Sequence, residues 1–327
     1  MPKVHVILIT TRYQYSIPQL GEWNYGFVLM SRYLESLGFS ITLLPSLPEK
    51  TTNVGSSPIV GYSHTRIDLF NTLKDIINKY DVLVFGIDAL SDHYYDFLCT
   101  VKIVREICPN SIIVGGGPYF SRESEADKIG LSDSVELELF SGNVDAIVLG
   151  HCKSMGDICL GLRDSTIRCG DNWIIENIPI GVYVLQDNHV FGSGVSTLPK
   201  IDMPVVRLPD KQGNIRASIF IDSSCPNQCH YCSTIPASCT ITSSTINTLK
   251  HIQDEIGPFR TNIIDNNPLF SNHSKNAIVT IRNEDIDTEF SIYLDEALFA
   301  FGRWKDILSI CRDLCITGVF IGRESSD

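Results

Sequence analysis

Short apolar runs alternate along the first half of the chain with longer stretches whose apolar positions recur at helical spacing. This pattern predicts a parallel sheet wrapped by helices. Val4 to Ile9 is a nearly unbroken apolar run, and Trp23 to Leu37 reads as a helix with Gly38 placed as its stop. Ile41 to Leu44 is the next strand, followed by a polar stretch with Ser, Pro and Gly from Pro45 to Tyr62. Ile67, Phe70, Leu73 and Ile77 then fall on one helical face. Val82 to Ile87, Ile112 to Val114 and Ala146 to Leu149 read as further strands, with a helix over about Tyr94 to Ile107. Val/Ile/Leu runs of this kind are what a sheet covered on both faces requires.

The texture changes after Leu160. A hairpin is predicted from Trp173 to Ile175 and Val182 to Leu185, with a turn near Asp187-Asn188, and the run LPKIDMPVVRLPDKQGN reads as a linker because of its prolines and turn residues. From about Ile215 strands and helices resume. Ser218 to Ile221 is a buried strand, Ile246, Leu249, Ile252 and Ile256 mark a helix stopped by Gly257, and a strand surrounds Ile263-Ile264. Phe290 to Leu294 and Val319 to Ile321 are strands that flank a helix over about Trp304 to Cys315. The expected organisation is α/β throughout: a doubly wound parallel sheet over 1–165, a hairpin and Pro-containing linker over 166–214, and a partial barrel of about four β/α units over 215–327.

Composition narrows the classes. With 327 residues the chain is long enough for two cores, and 43% hydrophobic with 20% charged residues describes a globular chain. No stretch reaches the roughly 18 uninterrupted apolar residues of a membrane span, and MPKVHVILITTRYQ turns polar too early for a signal peptide, so a cytoplasmic protein without a membrane partner is expected. A net charge of −12 without a Lys/Arg cluster argues against a nucleic-acid partner. Eleven cysteines without an export signal read as thiols and metal ligands rather than disulfides.

Three of those cysteines stand together in SIFIDSSCPNQCHYC. Cys225, Cys229 and Cys232, at i, i+4 and i+7 after a strand, can hold three irons of a four-iron cluster and leave the fourth open. Open α/β sheets and barrels place their active-site loops at that end of a strand. The alternatives are a zinc site completed by His230 or Cys239, for which a second cysteine knuckle is missing, and a plain electron-transfer centre, for which Cys239 follows too far on. Cys311 and Cys315 share a helical face with Trp304, Ile307 and Leu308, which is ordinary packing or an extra cluster ligand. Cys99, Cys108, Cys159 and Cys169 read as core thiols.

With Tyr231 before the third cysteine, the motif Cys-x3-Cys-x-aromatic-Cys resembles the radical S-adenosylmethionine (radical SAM) superfamily. That resemblance implies a [4Fe–4S] cluster on Cys225, Cys229 and Cys232, with S-adenosylmethionine on the open iron and Tyr231 beside the cofactor. The run VGGGPYF is similar to the Gly-Gly turn of cobalamin (B12)-binding domains, and the order of domain, hairpin, linker and cysteine loop resembles the B12-binding radical SAM family along nearly the whole chain. Gly115, Gly116 and Gly117 have no Cβ, so a flat ligand or nucleotide tail can approach their backbone. The family's Asp-x-His-x-x-Gly motif is missing after the first strand, so no protein histidine–cobalt bond is expected. Asp88-Ala89-Leu90 stands where the family has Ser-x-Leu, and Gly150-His151-Cys152 where it has Gly-Glu. His151 then replaces a family glutamate; the other reading of His151 and Cys152 is a metal or nucleophile pair.

The resemblance also implies SAM contacts at Asp265, in Ile264-Asp265-Asn266-Asn267, and at Glu324 and Ser325, in the closing VFIGRESSD. Arg323 pairs with a carboxylate there or at the surface. Four strands follow Ile215 where the family barrel has about six, so the chain is expected to be a truncated product or fragment, a barrel completed by another chain, or a reduced version. The implied activity is SAM cleavage to a 5′-deoxyadenosyl radical, serving cobalamin-dependent methylation or another modification of an unactivated carbon. The implied partners are a small-molecule or peptide substrate and a reductant such as flavodoxin or ferredoxin. A methylthiotransferase is disfavoured because the earliest cysteine is Cys99. The other class of reading is a non-catalytic corrinoid- or partner-binding protein with a structural or vestigial cluster.

Overall fold

The computed structural model describes residues 1–11, 25–44, 52–54, 57–59, 70–71, 73–89, 94–117, 119–120, 133–167, 178–199, 205–209, 215–221, 240–263, 269, 271–295 and 304–322. They fall into two compact units, one within Met1–Pro199 and one from Lys200 onward. Both are α/β.

The first unit runs β1 (Val4–Ile9), α1 (Tyr25–Ser36), β2 (Ser40–Leu44), β3 (Thr52–Val54), β4 (Ser57–Ile59), β5 (Val82–Asp88), α2 (Tyr94–Ile107), β6 (Ile112–Gly116), α3 (Asp133–Phe140), β7 (Ala146–Val148), α4 (Lys153–Arg163), β8 (Val182–Gln186) and β9 (His189–Gly192). Its main sheet has the order β2-β1-β5-β6-β7-β8-β9, while β3 and β4 pair separately. The pairs from β2 to β7 are parallel, and β8 and β9 are antiparallel additions. All six residues of β1 are buried because both faces of the sheet are covered. Ile7, Ile9, Phe85, Ile87, Ile113 and Ile147 pack with Phe97 and Val101 of α2 and Val135 and Leu139 of α3. Val6, Leu8, Val84, Val114 and Val148 face the other way, toward Leu34 of α1 and Met155, Ile158 and Leu162 of α4. Gly156 lets those two helices approach, since a Cβ there would lie 2.6 Å from Tyr33 Cε1.

The turn at Asp187-Asn188 forms, with both residues at positive φ, but it joins β8 to β9. Trp173 to Ile175, the strand expected to share that hairpin, lies outside the described residues. A short β3–β4 ladder occupies part of the polar stretch from Pro45 to Tyr62.

The second unit runs β10 (Val206–Pro209), β11 (Ile215–Ile219), α5 (Ser243–Ile256), β12 (Phe259–Ile263), α6 (Asn272–Asn283), β13 (Thr288–Asp295), α7 (Trp304–Asp313) and β14 (Ile316–Gly322). The sheet order follows the chain order, with β11 to β14 parallel and β10 antiparallel at the edge. Part of the segment read as linker is therefore a strand. Successive parallel strands added on the same side, joined by right-handed crossovers, put all three helices on one face. Thr242 caps α5 by accepting from the Thr245 N–H at 3.2 Å, and Gly257 ends that helix at φ +77. Ser271 caps α6 in the same way.

Phe97 is fully buried and meets Phe120 edge-on at 5.7 Å between ring centroids. Phe97→Ala is expected to cost the first unit about 3–5 kcal/mol, read as a lowered urea midpoint for that unit.

Candidate functional site

In the first unit the C-terminal ends of the parallel strands open onto a cavity of about 250 Å³. Its walls come from Gly86 to Asp88 at the end of β5, Val114, Gly116 and Gly117 around the end of β6, and Val148 with Gly150 to Cys152 at and after the end of β7; α1 adds Phe27 and Met30, α4 adds Met155, and Leu198 completes them. The chain passes from β1 outward to β2 and returns on the far side of β1 for β5, so the cavity lies beside the point where strand order reverses, where open α/β sheets take ligands. Its lining is mostly aliphatic and glycyl, with Asp88, His151 and Cys152 as polar groups.

Asp88 is 3% exposed and holds the end of β1. Its carboxylate accepts the Thr11 N–H at 2.7 Å, and the Thr11 hydroxyl donates to the Asp88 carbonyl at 2.6 Å. The carboxylate standing where the resembled family has serine is thus used inside the protein, stitching β1 to β5. His151 is fixed through its backbone: its N–H donates to the Ser196 carbonyl at 3.2 Å, and the Ser196 hydroxyl donates to its carbonyl at 2.7 Å. Gly150, at φ +102, permits that strap, since a Cβ there would lie 2.3 Å from Ser196 O.

The three glycines divide. Gly116 and Gly117 line the cavity, whereas a Cβ on Gly115 would meet the Phe97 ring at 3.2 Å on the opposite face. Gly117 is at φ +106, and a Cβ on it would lie 2.7 Å from the Ala89 carbonyl. Close packing of the ends of β5 and β6, joined by the Ala89 N–H donating to Gly116 O at 2.7 Å, therefore already accounts for glycine there. The sequence reading did not single out Phe27, Met30, Met155 or Leu198 as cavity walls. Met155, Ile158, Cys159 and Leu162 at i, i+3, i+4 and i+7 are the signal that would have found α4.

In the second unit β11, β12 and β14 end at Ile219, Ile263 and Gly322. Cys225, Cys229, Tyr231 and Cys232, with Asp265, Glu324 and Ser325, lie outside the described residues, as do His230, Cys239, Arg323 and Cys169. Among the described residues no group of three His, Cys, Asp or Glu side chains could hold a metal. Cys315 is exposed at φ +55 and immediately precedes β14, which puts it at the N-terminal edge of the sheet, opposite the end from which the cysteine loop leaves β11. Of the two readings of the Cys311/Cys315 pair, packing holds for Cys311, which is buried with its thiol pushed up by desolvation. Cys108 and Cys159 are core thiols, Cys159 pushed up to about 12 by burial, and Cys99 is half-buried.

No protein-family model matches the chain, and a search of curated proteins finds no relative. Among the described residues no helix is long and apolar enough to cross a membrane.

Two buried carboxyls sit on the α2/α3 side. Glu138 accepts the Tyr94 hydroxyl, and Tyr94 stacks on Tyr119 at 4.4 Å. Asp96, 2% exposed in the first turn of α2, is pushed up to about 7 by burial, and its Oδ2 has no hydrogen-bond partner among the described residues. An unfolded aspartate ionises near 3.8, so between that value and about 7 the folded chain holds a proton that the unfolded chain has lost. Stability should fall as pH rises through this window and level off above it. Asp96→Asn is expected to flatten that fall, measured as urea midpoints at about pH 4.5 and about pH 7.5.

Proposed function

We propose that this chain is a radical SAM enzyme, with Cys225, Cys229 and Cys232 holding a [4Fe–4S] cluster that leaves one iron for S-adenosylmethionine. One observation carries the reading. The cysteine segment, the Asp265 segment and the Glu324-Ser325 segment each begin just after a strand of a single parallel set, β11, β12 and β14, at its C-terminal end. A chain that spends three separate segments on one sheet edge has the organisation of a composite site. The donor set fits the cluster, since three thiolates closely spaced in a loop are the ligands that iron–sulfur centres use. When bound, the cluster and SAM would supply reductive cleavage to a 5′-deoxyadenosyl radical.

The protein's own part is to hold and orient. Asp265 would accept hydrogen bonds from the SAM ammonium, Glu324 and Ser325 would fix its methionine or ribose end, and Tyr231 would lie beside the cofactor. Ile219 and Ile263, both fully buried, anchor the ends of β11 and β12, the strands that two of these segments follow.

The first-unit cavity supports cobalamin as a second cofactor and methyl transfer as the outcome. At about 250 Å³ it lies below the roughly 300–1,000 Å³ of sites that enclose a whole drug-sized ligand, which suits one tail of a larger molecule. Gly116 and Gly117 would lie against that tail, and Asp88, His151 and Cys152 are the polar groups of the lining. Cobalamin would supply the transferable methyl group.

Anaerobic reconstitution with iron and sulfide, followed by reductant and SAM, should yield 5′-deoxyadenosine; a fully loaded cluster that yields none overturns the enzyme reading. Cys229→Ala should lose cluster iron and its visible absorption. Protein loaded anaerobically with cobalamin and passed through gel filtration should keep a corrinoid band, and Leu198→Trp, which fills the cavity from a half-buried wall, should lower retention about tenfold or more without changing the iron content.

A further inference from the structure

Side chains on β11 to β14 alternate between the face taken by α5, α6 and α7 and the face those helices leave. Ala217, Ile219, Ile263, Phe290 and Ile292 are buried and apolar and belong to the helix face. Register places Ser218 beside Asn262, Asn262 beside Ser291 and Ser291 beside Gly318, so a single polar row crosses the sheet on the other face.

That row is anomalous for a strand interior. Ser218 is 3% exposed and Asn262 and Ser291 are each 7% exposed, as buried as the core around them. Asn262 Nδ2 reaches Ser218 Oγ only at 3.5 Å, and Asn262 Oδ1, buried, has no hydrogen-bond partner among the described residues. An unsatisfied buried amide oxygen costs about 1–3 kcal/mol, and a leucine of similar volume would avoid that cost. Gly318 makes room for the row: a Cβ on it would lie 2.5 Å from Ser291 Oγ. One layer toward the N-terminal edge, Arg260 pairs with Glu289 at 3.2 Å and Thr317 donates to Glu289 at 2.9 Å. Arg260 and Glu289 of that layer are therefore engaged with each other, and the polar row itself carries no charge.

We infer that Ser218, Asn262 and Ser291 form a substrate-recognition row that takes an uncharged hydroxyl or amide group of the substrate, with Asn262 Oδ1 accepting its hydrogen bond. The identification of the ligand as substrate rests on the radical SAM reading. A neutral donor matches the row because an ammonium would need a carboxylate, the row itself holds none, and Glu289, one layer away, is engaged by Arg260 and Thr317. Asn262 lies inside β12, one residue before the strand ends at Ile263, whereas the segment assigned to SAM follows that strand in sequence.

The test uses the reconstituted full chain with ¹⁵N-labelled asparagine, the Asn262 side-chain amide being assigned from the signal lost in Asn262→Leu. N-acetylglycinamide serves as the amide probe and glycerol as the hydroxyl probe, each added with SAM present. A saturable shift of the Asn262 signal with either probe is expected. Asn262→Leu should weaken binding of the effective probe tenfold or more, followed through the probe's own resonances, while the thermal midpoint holds or rises because the unpartnered oxygen is gone. No shift with either probe, unchanged affinity in Asn262→Leu, or a shift produced by SAM alone overturns the assignment. Failure of the chain to bind SAM at all, measured by calorimetry, counts against the radical SAM reading and leaves the probe titration to judge the row.

Discussion

Two parallel strands cannot be joined by a tight turn, so each of β11 to β14 must hand the chain to a helix before the next strand begins. That constraint fixes much of what this protein can do. Every outward connection leaves from the same edge, every returning one enters at the other, and residues far apart in sequence reach one rim without long loops through the core. The first unit obeys the same rule with a reversal of direction at β1. There the reversal parts α1 from the connections beyond β5 and leaves the cavity between strand ends and helix starts. Both candidate sites are consequences of strand direction before they are consequences of any particular side chain.

The strands buried on both faces were the most legible part of the fold. β1, β5, β6 and β7 are Val/Ile-rich because neither face meets water, and such runs announce themselves. What was missed had weaker physical signatures. β10 lies inside a proline-containing stretch that reads as linker; an edge strand needs its N–H groups on one side only, so Pro209 can end it. α6 reads NHSKNAIVTIRN, polar over most of its surface, and buries Ala277, Ile278 and Ile281 on one narrow face. β9 pairs only with β8 and shows little burial.

The candidate chemistry was legible to a different degree at each place. The cysteine triad is carried by spacing alone and needs no fold to be noticed. The glycine triplet was noticed as well, but its meaning required coordinates, because Gly115 serves Phe97 while Gly116 and Gly117 border the cavity. The Ser218–Asn262–Ser291 row was illegible, since a polar residue within a strand says nothing about its neighbours until the register of three separate strands is known. Asp88 was read as a departure from a motif, and its hydrogen bonds to Thr11 give it a structural purpose that sequence comparison could not supply.

The Thr11–Asp88 link also bears on how the chain comes off the ribosome. β1 pairs on one flank with β2 but on the other with β5, Val4 opposite Val82 and Ile9 opposite Ile87. The first apolar strand to be synthesised must therefore wait, half-zipped, until residues 82–87 have emerged, and the bonds that secure its end wait for Asp88. The second unit has no such delay among its parallel strands, because each of β12, β13 and β14 joins the strand made just before it. In cotranslational terms the first unit is the late-closing one and the second assembles in the order it is written. A growing chain held up between β2 and β5 would display β1 as an open apolar edge, the segment a chaperone would meet first.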